Sequence, residues 1–251
     1  MTTPAAPAVR LEHVVKAFSG RRVLDDVTLD VARGTCCCVL GRSGTGKSVM
    51  LKHIIGLLAP DAGRVFVEDQ ELSGLGPQEM SRVRLRIGFL FQHAALFDSI
   101  SVGENVAFPL RRHTVWPDAE IRRRALKKLT AVGLGADVGK MPSALSGGMR
   151  KRAGLARAMA LDPAILLVDE PSAGLDPVTA MEIDALLERL KREAGTTLIV
   201  VTHNISSARM LGDDLVFLHE GRILQQGTVA AFDKSKHPLV QTFMAAGSST
   251  G

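Results

Sequence analysis

The chain has 251 residues, of which 46% are hydrophobic and 23% are charged. This balance is typical of a globular protein with a sizeable core, and it excludes an intrinsically disordered chain. The formal net charge of +5 favours anionic partners such as a nucleotide, a nucleic acid or a lipid surface but selects none of them.

The N-terminal residues, the apolar runs and the cysteines indicate whether the chain is exported, spans a membrane or contains disulfides. Residues 1–8 lack the basic start and apolar stretch of a signal peptide, so we expect a flexible tail there. No run in the sequence reaches the ~18 apolar residues that a bilayer-spanning helix needs, so any membrane role is expected to be peripheral. Cys36, Cys37 and Cys38 are consecutive within an apolar run. This pattern favours a buried strand over a disulfide framework or a metal site.

The first ninety residues combine two periodicities. Alternating apolar and polar residues predict strands, and an apolar spacing of three and four residues predicts a helix. The predicted elements are strands at 9–15, 23–31 and 36–40, a helix at 47–58, and strands at 64–67 and 87–91.

The strand pattern then disappears and later returns. Helical spacing at 102–110, 117–132 and 146–161 predicts a helical subdomain over residues 92–162, inserted into an α/β core formed by 9–91 and 163–235. Strands alternating with helices indicate a parallel sheet. The returning elements are a strand at 165–168, a helix at 177–194, strands at 197–201, 215–218 and 222–225 (the last two joined by a hairpin turn at Glu220-Gly221), and a C-terminal helix and tail at 236–251.

A glycine-rich loop lies between a predicted strand and a predicted helix. Residues 41–48 fit the pattern G-x-x-x-x-G-K-S, whose backbone N–H groups cradle phosphates. We expect Lys47 to reach the β- and γ-phosphates and Ser48 to place its hydroxyl on Mg²⁺. The loop reads Gly41, Arg42, Ser43, Gly44, Thr45, Gly46, Lys47, Ser48.

Two acidic residues follow the apolar strand predicted at 165–168. Asp169, at the end of that strand, can approach the Mg²⁺ shell. Glu170, one residue later, is positioned to polarise an attacking water, as a general base must. Adjacent acids after a strand more often form a solvated turn, but together with the phosphate loop they predict a hydrolytic site.

Further along the chain, Leu145-Ser146-Gly147-Gly148-Met149 resembles the LSGGQ signature of ABC (ATP-binding cassette) ATPases. The resemblance covers roughly residues 9–230 and implies a P-loop NTPase core with a parallel sheet, an antiparallel β subdomain and an inserted helical subdomain. Met149 replaces the usual Gln of the signature, and Asn204 stands where the family often has Asp.

The resemblance also implies roles for individual residues. It implies that Glu170, His203 and Lys47 are catalytic, and that Ser48, Gln92 and Asp169 bind Mg²⁺. Residues expected to contact ATP are Phe18 (stacking on adenine), Gly41, Ser43, Gly44, Thr45, Gly46, Lys47, Ser48, Gln92, Ser146, Gly147, Gly148 and Asp176.

Residues 91–110 and 145–158 resemble more specifically the ATPase subunits of Mla (maintenance of lipid asymmetry) systems, in which Met149 is typical. That branch implies phospholipid transport between membranes. It also implies a second copy of the chain, transmembrane permease subunits, an MCE-domain protein and a small STAS-domain subunit as partners, with no nucleic acid. The expected location is the cytoplasmic face of the inner membrane.

Three alternatives compete with this interpretation: a non-transport ABC ATPase of DNA repair or translation, a poorly hydrolysing nucleotide-binding regulator, and an importer of a small solute. A DNA-repair ATPase would insert hundreds of residues between the phosphate loop and the signature, and a translation factor would usually join two cassettes. A poorly hydrolysing regulator would be expected to lack Glu170 or His203, and both are present. An ABC importer of amino acids or another small solute remains the serious rival.

Overall fold

The computed structural model describes residues 6–246. Residues 1–5 of the predicted N-terminal tail and 247–251 of the predicted C-terminal tail therefore lie outside the described residues. The chain divides into two compact units. The first unit comprises residues 1–84 and 190–251, and the second comprises residues 85–189.

Strands and helices alternate along most of the chain. In chain order the elements are β1 (Val9–Phe18), β2 (Arg21–Val31), β3 (Cys36–Leu40), α1 (Lys47–Ile54), β4 (Ala62–Val67), β5 (Gln70–Glu71), α2 (Pro77–Leu85), β6 (Ile87–Leu90), α3 (Val102–His113), α4 (Asp118–Ala131), α5 (Gly147–Ala158), β7 (Ile165–Asp169), α6 (Pro177–Ala194), β8 (Thr197–Thr202), α7 (Ile205–Leu211), β9 (Asp214–His219), β10 (Arg222–Gly227), α8 (Val229–Asp233) and α9 (Pro238–Ala246). Short 3₁₀ helices lie at Gly135–Asp137 and Pro142–Ala144.

The first unit contains an antiparallel sheet with the strand order β2-β1-β4-β5. A two-residue turn joins β1 to β2, and both of its residues, Ser19 and Gly20, have positive φ, as a tight hairpin requires. In β2 the apolar residues Val27, Leu29 and Val31 are buried, and the polar residues that alternate with them are exposed. The predicted antiparallel β subdomain is therefore confirmed.

The first unit also contains parallel strands. β3 pairs in parallel with β8 on one side and β9 on the other, and β10 runs antiparallel to β9. All five residues of β3 are buried, including the three cysteines, which are free thiols. An apolar run buried on both faces is what a central parallel strand requires, so this prediction is confirmed.

In the second unit, β6 and β7 pair in parallel, and three longer helices lie between them in sequence. Ser101 begins α3 by accepting a hydrogen bond from the N–H of Glu104 at 3.2 Å. Ser146 begins α5 in the same way by accepting from Met149. The predicted strands at 87–91 and 165–168 and the three predicted helices are confirmed, with ends shifted by a few residues.

The structure differs from the sequence-based expectations in a few elements. α1 ends at Ile54 instead of residue 58, because Gly56 adopts a left-handed conformation at φ 67°. The helices α2, α7 and α8 and the short strand β5 were not predicted. In the part of the chain that the structure describes, no helix combines the length and apolar character needed to cross a membrane.

Candidate nucleotide site

The glycine-rich loop connects β3 to α1 in the first unit, and its glycines are required sterically. A Cβ on Gly41 would lie 2.3 Å from the carbonyl oxygen of Leu218, and one on Gly46 would lie 2.6 Å from that of Val23. Gly41, Gly44 and Gly46 all have positive φ. Since L side chains rarely adopt these angles, the loop conformation depends on glycine.

Lys47 is almost completely buried within the loop. Its Nζ donates hydrogen bonds to the carbonyls of Gly41 (2.7 Å) and Arg42 (3.0 Å), and Thr45 Oγ1 also donates to Arg42. Ser43 and Gly44 face solvent. Within the described residues, no side chain caps the N-terminus of α1, and its first turn has no acidic residue. A buried ammonium beside an uncapped helix N-terminus favours a phosphate.

His203 emerges beside this loop. Leu40, the last residue of β3, pairs with Thr202, the last residue of β8. Because these neighbouring strands are parallel, Gly41 and His203 both follow the same sheet edge. The carboxyl ends of parallel strands are where such folds bind ligands. The His203 side chain is exposed, and Asn204 next to it caps α7 by accepting from the N–H of Ser207.

Phe18 is the last residue of β1, and its side chain is 43% exposed. The ammonium of Lys16 lies 5.7 Å from the centroid of the Phe18 ring. Lys16 is fixed by hydrogen bonds to the carbonyl of Ala59 and to Asp61, and it lowers the pKa of the Asp61 carboxyl. An exposed ring supported on one side can stack against a planar base.

Gln92 and the two acidic residues Asp169 and Glu170 belong to the second unit. Leu90 pairs with Val168 at the carboxyl ends of β6 and β7, so Gln92 and Asp169 follow the same edge of this strand pair. Asp169 is buried, whereas Gln92 is exposed. Glu170 has φ 47°, a left-handed conformation that is uncommon for a residue with a side chain. Such strain persists only where the surroundings hold it, and it concentrates at functional sites.

Lys151 is a site residue that the sequence reasoning missed. It lies on α5 with its side chain buried, and its Nζ donates to the main-chain carbonyl of Glu170 at 2.9 Å. Burial lowers the pKa of Lys151, while the charges of Asp169 and Glu170 act to raise it. A lysine two residues after the signature is the only sequence signal for this role. Its burial becomes evident only from the packing of α5.

The signature residues begin α5. Ser146 is exposed at the N-cap, where its hydroxyl accepts from Met149 at 3.2 Å. Gly147 and Gly148 follow as the first helical residues, and a Cβ on Gly148 would lie 2.4 Å from Cγ2 of Thr179. Gly148 therefore has a packing reason for lacking a side chain, in addition to the close approach of phosphate that the resemblance implies.

Asp176 caps α6. Its carboxylate accepts hydrogen bonds from the N–H groups of Val178 (3.1 Å) and Thr179 (3.0 Å) and from the Thr179 hydroxyl (2.6 Å). These bonds, chiefly those from Thr179, lower the pKa of Asp176. The structure thus gives this side chain a helix-capping function, and the predicted contact with nucleotide stays a prediction.

The segment after Gln92 is fixed by two polar side chains, those of Arg157 and the buried Asn105. Ala94 and Ala95 both have positive φ, and Arg157 donates to their carbonyls at 3.1 and 2.7 Å. Asn105, fully buried, binds both the N–H and the carbonyl of Phe97. The Phe97 ring is 44% exposed, with its centroid 5.0 Å from that of the exposed Phe108. The segment therefore presents an aromatic pair to the surface.

Comparisons with known proteins identify the fold. A solved structure of the ATP-binding cassette MJ0796, a dimer in a post-hydrolysis state bound to ADP and Pi, is similar with a TM-score of 0.82 and 34% identity. The similarity covers 88% of this chain and 98% of that one. It confirms the predicted fold class, an α/β P-loop NTPase core with an antiparallel sheet and helices.

Similar sequences come from several transport systems. A probable ribonucleotide transport ATP-binding protein of Mycobacterium leprae is 41% identical over 96% of this chain and 70% of its own length. The intermembrane phospholipid transport ATP-binding protein MlaF of Haemophilus influenzae is 40% identical over 94% of this chain and 89% of its own length. The methionine import ATP-binding protein MetN of Bradyrhizobium diazoefficiens is 38% identical over 94% of this chain and 70% of its own length.

The sequence profile of the ABC transporter family matches residues 24–173, a range that includes the phosphate loop, the signature and the paired acids. The family contains ATP-hydrolysing cassettes, and the similar cassette of known structure binds the products of that reaction. This chain belongs to the ABC transporter family and is the ATP-binding, ATP-hydrolysing subunit of such a transporter.

Proposed function

We propose that the chain hydrolyses ATP to power phospholipid transport between membranes, through a permease that it contacts at its surface. For ATP binding, the observation that carries most weight is the phosphate loop, in which Gly41 and Gly46 leave no room for a side chain and Lys47 lies buried inside. A lysine ammonium next to the main-chain N–H groups of a helix N-terminus suits an anionic ligand such as a phosphate.

The proposed site is divided between two copies of the chain. One copy supplies the loop, with Lys47 at the phosphates and Phe18 against adenine. The other supplies Ser146, Gly147 and Gly148 at the N-terminus of α5, where Ser146 is exposed. Two observations support this arrangement: the N-terminus of α5 has no acidic residue in its first turn, and the similar cassette of known structure is a dimer.

Hydrolysis in this proposal depends on positioning and charge more than on covalent chemistry. Glu170 orients the attacking water and accepts its proton, His203 stabilises the γ-phosphate, and Lys47 neutralises developing charge. The left-handed backbone of Glu170, with its carbonyl bound by Lys151, sets the direction of the carboxylate.

Magnesium would be held by Ser48, Gln92 and Asp169, together with phosphate oxygens. Their hydroxyl, amide and carboxylate oxygens are the donors that Mg²⁺ prefers, and it is usually bound through few protein ligands. Among residues 6–246, no group of three or more His, Cys, Asp or Glu side chains could hold a metal ion. When bound, the ion neutralises charge on the β- and γ-phosphates.

The proposed permease contact includes the exposed pair Phe97 and Phe108. Arg157 and Asn105 hold the backbone of residues 94–97 in place by hydrogen bonds, which reduces the entropy lost when a partner binds. An exposed aromatic pair on a rigid support suits a short helix of a membrane subunit. An MCE-domain protein and a STAS-domain subunit are proposed as further partners from the similarity to MlaF.

The phospholipid assignment rests on the signature with Met149 and on residues 91–110, both of which resemble Mla-type ATPases. Its rival is import of a small solute, which the similarity to the ribonucleotide and methionine transport proteins favours. The discriminating experiment is reconstitution of the chain with its permease in vesicles. ATP-dependent transfer of a fluorescent phospholipid between vesicles supports the proposal, with the Glu170→Gln complex as the inactive control. Uptake of a ribonucleotide or of methionine without lipid transfer would assign the chain to the rival.

A further inference from the structure

The hairpin formed by α3 and α4 carries an unusual concentration of positive charge. Residues 111–128, hereafter the basic hairpin, hold seven basic side chains against two acidic ones. This segment alone therefore carries a formal charge equal to the +5 of the whole chain. The basic residues are Arg111, Arg112, Arg122, Arg123, Arg124, Lys127 and Lys128.

The acidic residues of the basic hairpin are already engaged by arginines. Arg111 contacts Glu104 and Asp118, which ties α3 to the start of α4. Arg123 and Arg124 both bind Glu120 and lower its pKa to about 2. These pairs fix the hairpin and leave a net excess of cations at its surface.

Two of those cations have no acidic partner. Arg112, at the end of α3, and Lys127, on α4, are both exposed. Neither makes an ion pair with any residue in the range 6–246 that the structure describes. Their charges are available to an external anionic surface.

The tip between the two helices is apolar. Val115 is fully exposed, and Trp116 next to it is 37% exposed. The guanidinium of Arg124 lies 3.8 Å from the centroid of the Trp116 ring, which supports the indole from one side. Thr114 ends α3 with hydrogen bonds from both its N–H and its hydroxyl to the carbonyl of Leu110. The apolar tip is therefore held in place between clusters of cations.

We propose that the basic hairpin binds the surface of an anionic lipid bilayer, with Val115 and Trp116 entering the interfacial region. Cations attract anionic headgroups, and tryptophan favours the boundary between headgroups and acyl chains. A fully exposed valine offers no charge or hydrogen bond to an acidic protein or to a nucleic acid backbone, whereas its burial in lipid is favourable. The inference does not depend on which substrate the transporter carries.

The protein contains its own probe, because Trp116 is the only tryptophan in the chain. The full chain is titrated with vesicles of phosphatidylcholine alone and with vesicles of equimolar phosphatidylcholine and phosphatidylglycerol. We expect a blue shift of the tryptophan emission and protection from acrylamide quenching with the anionic vesicles only, both weakened by salt.

Charge reversal tests the electrostatic part of the proposal. The double variant Arg112→Glu, Lys127→Glu disturbs no ion pair and should reduce vesicle affinity at least about tenfold. The matched control is Arg82→Glu, Lys234→Glu, which changes the net charge equally at two exposed residues outside the hairpin. Val115→Asp should remove the blue shift while retaining part of the salt-sensitive sedimentation with vesicles. Circular dichroism and ATPase activity of each variant establish that the fold is intact.

Several outcomes would overturn the proposal. These are an unchanged emission spectrum with anionic vesicles, equal affinity for neutral vesicles, or equal losses in the hairpin variant and the control. A spectral shift with soluble polyglutamate or polyuridylate, but none with vesicles, would instead assign the hairpin to an acidic protein or a nucleic acid.

Discussion

The most demanding test of the structure concerns Asn105, which holds the segment leading to Phe97. Its side chain is fully buried. Its Oδ1 accepts from the N–H of Phe97 at 2.8 Å, and its Nδ2 donates to the carbonyls of Phe97, Ile100 and Ser101 at 3.0, 3.2 and 3.0 Å. Because Nδ2 has two protons for three carbonyls, the side chain contributes about three independent hydrogen bonds.

Asn105→Ala removes all of them and leaves the N–H of Phe97 without its acceptor. At about 1 kcal/mol net for each bond, the free energy of unfolding should fall by about 3 kcal/mol. For a chain of this size, that corresponds to a melting temperature lower by roughly 6–12 °C. The Phe97 backbone should also exchange its amide hydrogen faster.

The matched control is Asn204→Ala. Asn204 also accepts from a main-chain N–H, that of Ser207 at 3.1 Å, but as the N-cap of α7. Removing a helix cap typically costs about 1 kcal/mol. Urea denaturation of both variants gives the comparison. If Asn105→Ala is no more destabilising than Asn204→Ala, the network around Phe97 does not hold the segment as described.

Three further predictions concern hydrolysis and assembly. Glu170→Gln should retain ATP binding while phosphate release falls at least about a hundredfold, and near-normal release, measured beside Glu182→Gln as a control, would contradict the assignment. A mixture of Lys47→Ala and Ser146→Arg chains should regain part of the activity that each lacks alone, because a mixed dimer can place both lesions in one site; no recovery in demonstrated heterodimers would count against shared sites. Phe97→Ala should weaken co-purification with the permease by a few kcal/mol of binding while leaving the basal ATPase activity of the isolated chain nearly unchanged; an intact complex, or an inactive chain, would leave the docking role unsupported.

The sequence predicted the elements with strong periodicity and missed those without it. β3 and the first four residues of β7 are continuous apolar runs, and all residues of both strands are buried. In α2, by contrast, Val83 is the one buried residue, so its sequence shows no apolar face. α7 has only seven residues, too few to show a clear apolar spacing. Its N-cap, Asn204, follows His203, and the sequence assigns His203 a catalytic role without indicating that a helix begins there.

The site shows the same division. The order of motifs along the chain identified the phosphate loop, the paired acids and the signature, because each is a local pattern with a chemical reason. Packing between elements could not be predicted from the sequence. Only the folded chain shows that Gly148 lies against Thr179, which gives it a packing reason to lack a side chain besides any ligand. Only the folded chain likewise shows that Asp176 caps α6.

Lys151 is the clearest case of a residue that only packing reveals, and it supports a prediction of its own. Its buried ammonium binds the carbonyl of Glu170 at 2.9 Å, at the left-handed backbone that directs the carboxylate. Lys151→Met keeps the volume of the side chain and removes this bond, so turnover should fall roughly tenfold, the effect of losing about 1.4 kcal/mol of transition-state stabilisation.

The substitution should also change how the stability of the protein depends on pH. Burial lowers the pKa of Lys151 below the ordinary value of 10.5, so the unfolded chain binds more protons between the two values. Wild-type stability should therefore gain an increment as the pH rises through that alkaline window, and Lys151→Met should lack it. Urea denaturation at neutral and alkaline pH, with phosphate release measured at neutral pH, separates the two effects. A variant with full turnover would show that Lys151 does not position Glu170, and a variant that keeps the alkaline increment would show that Lys151 carries no burial cost.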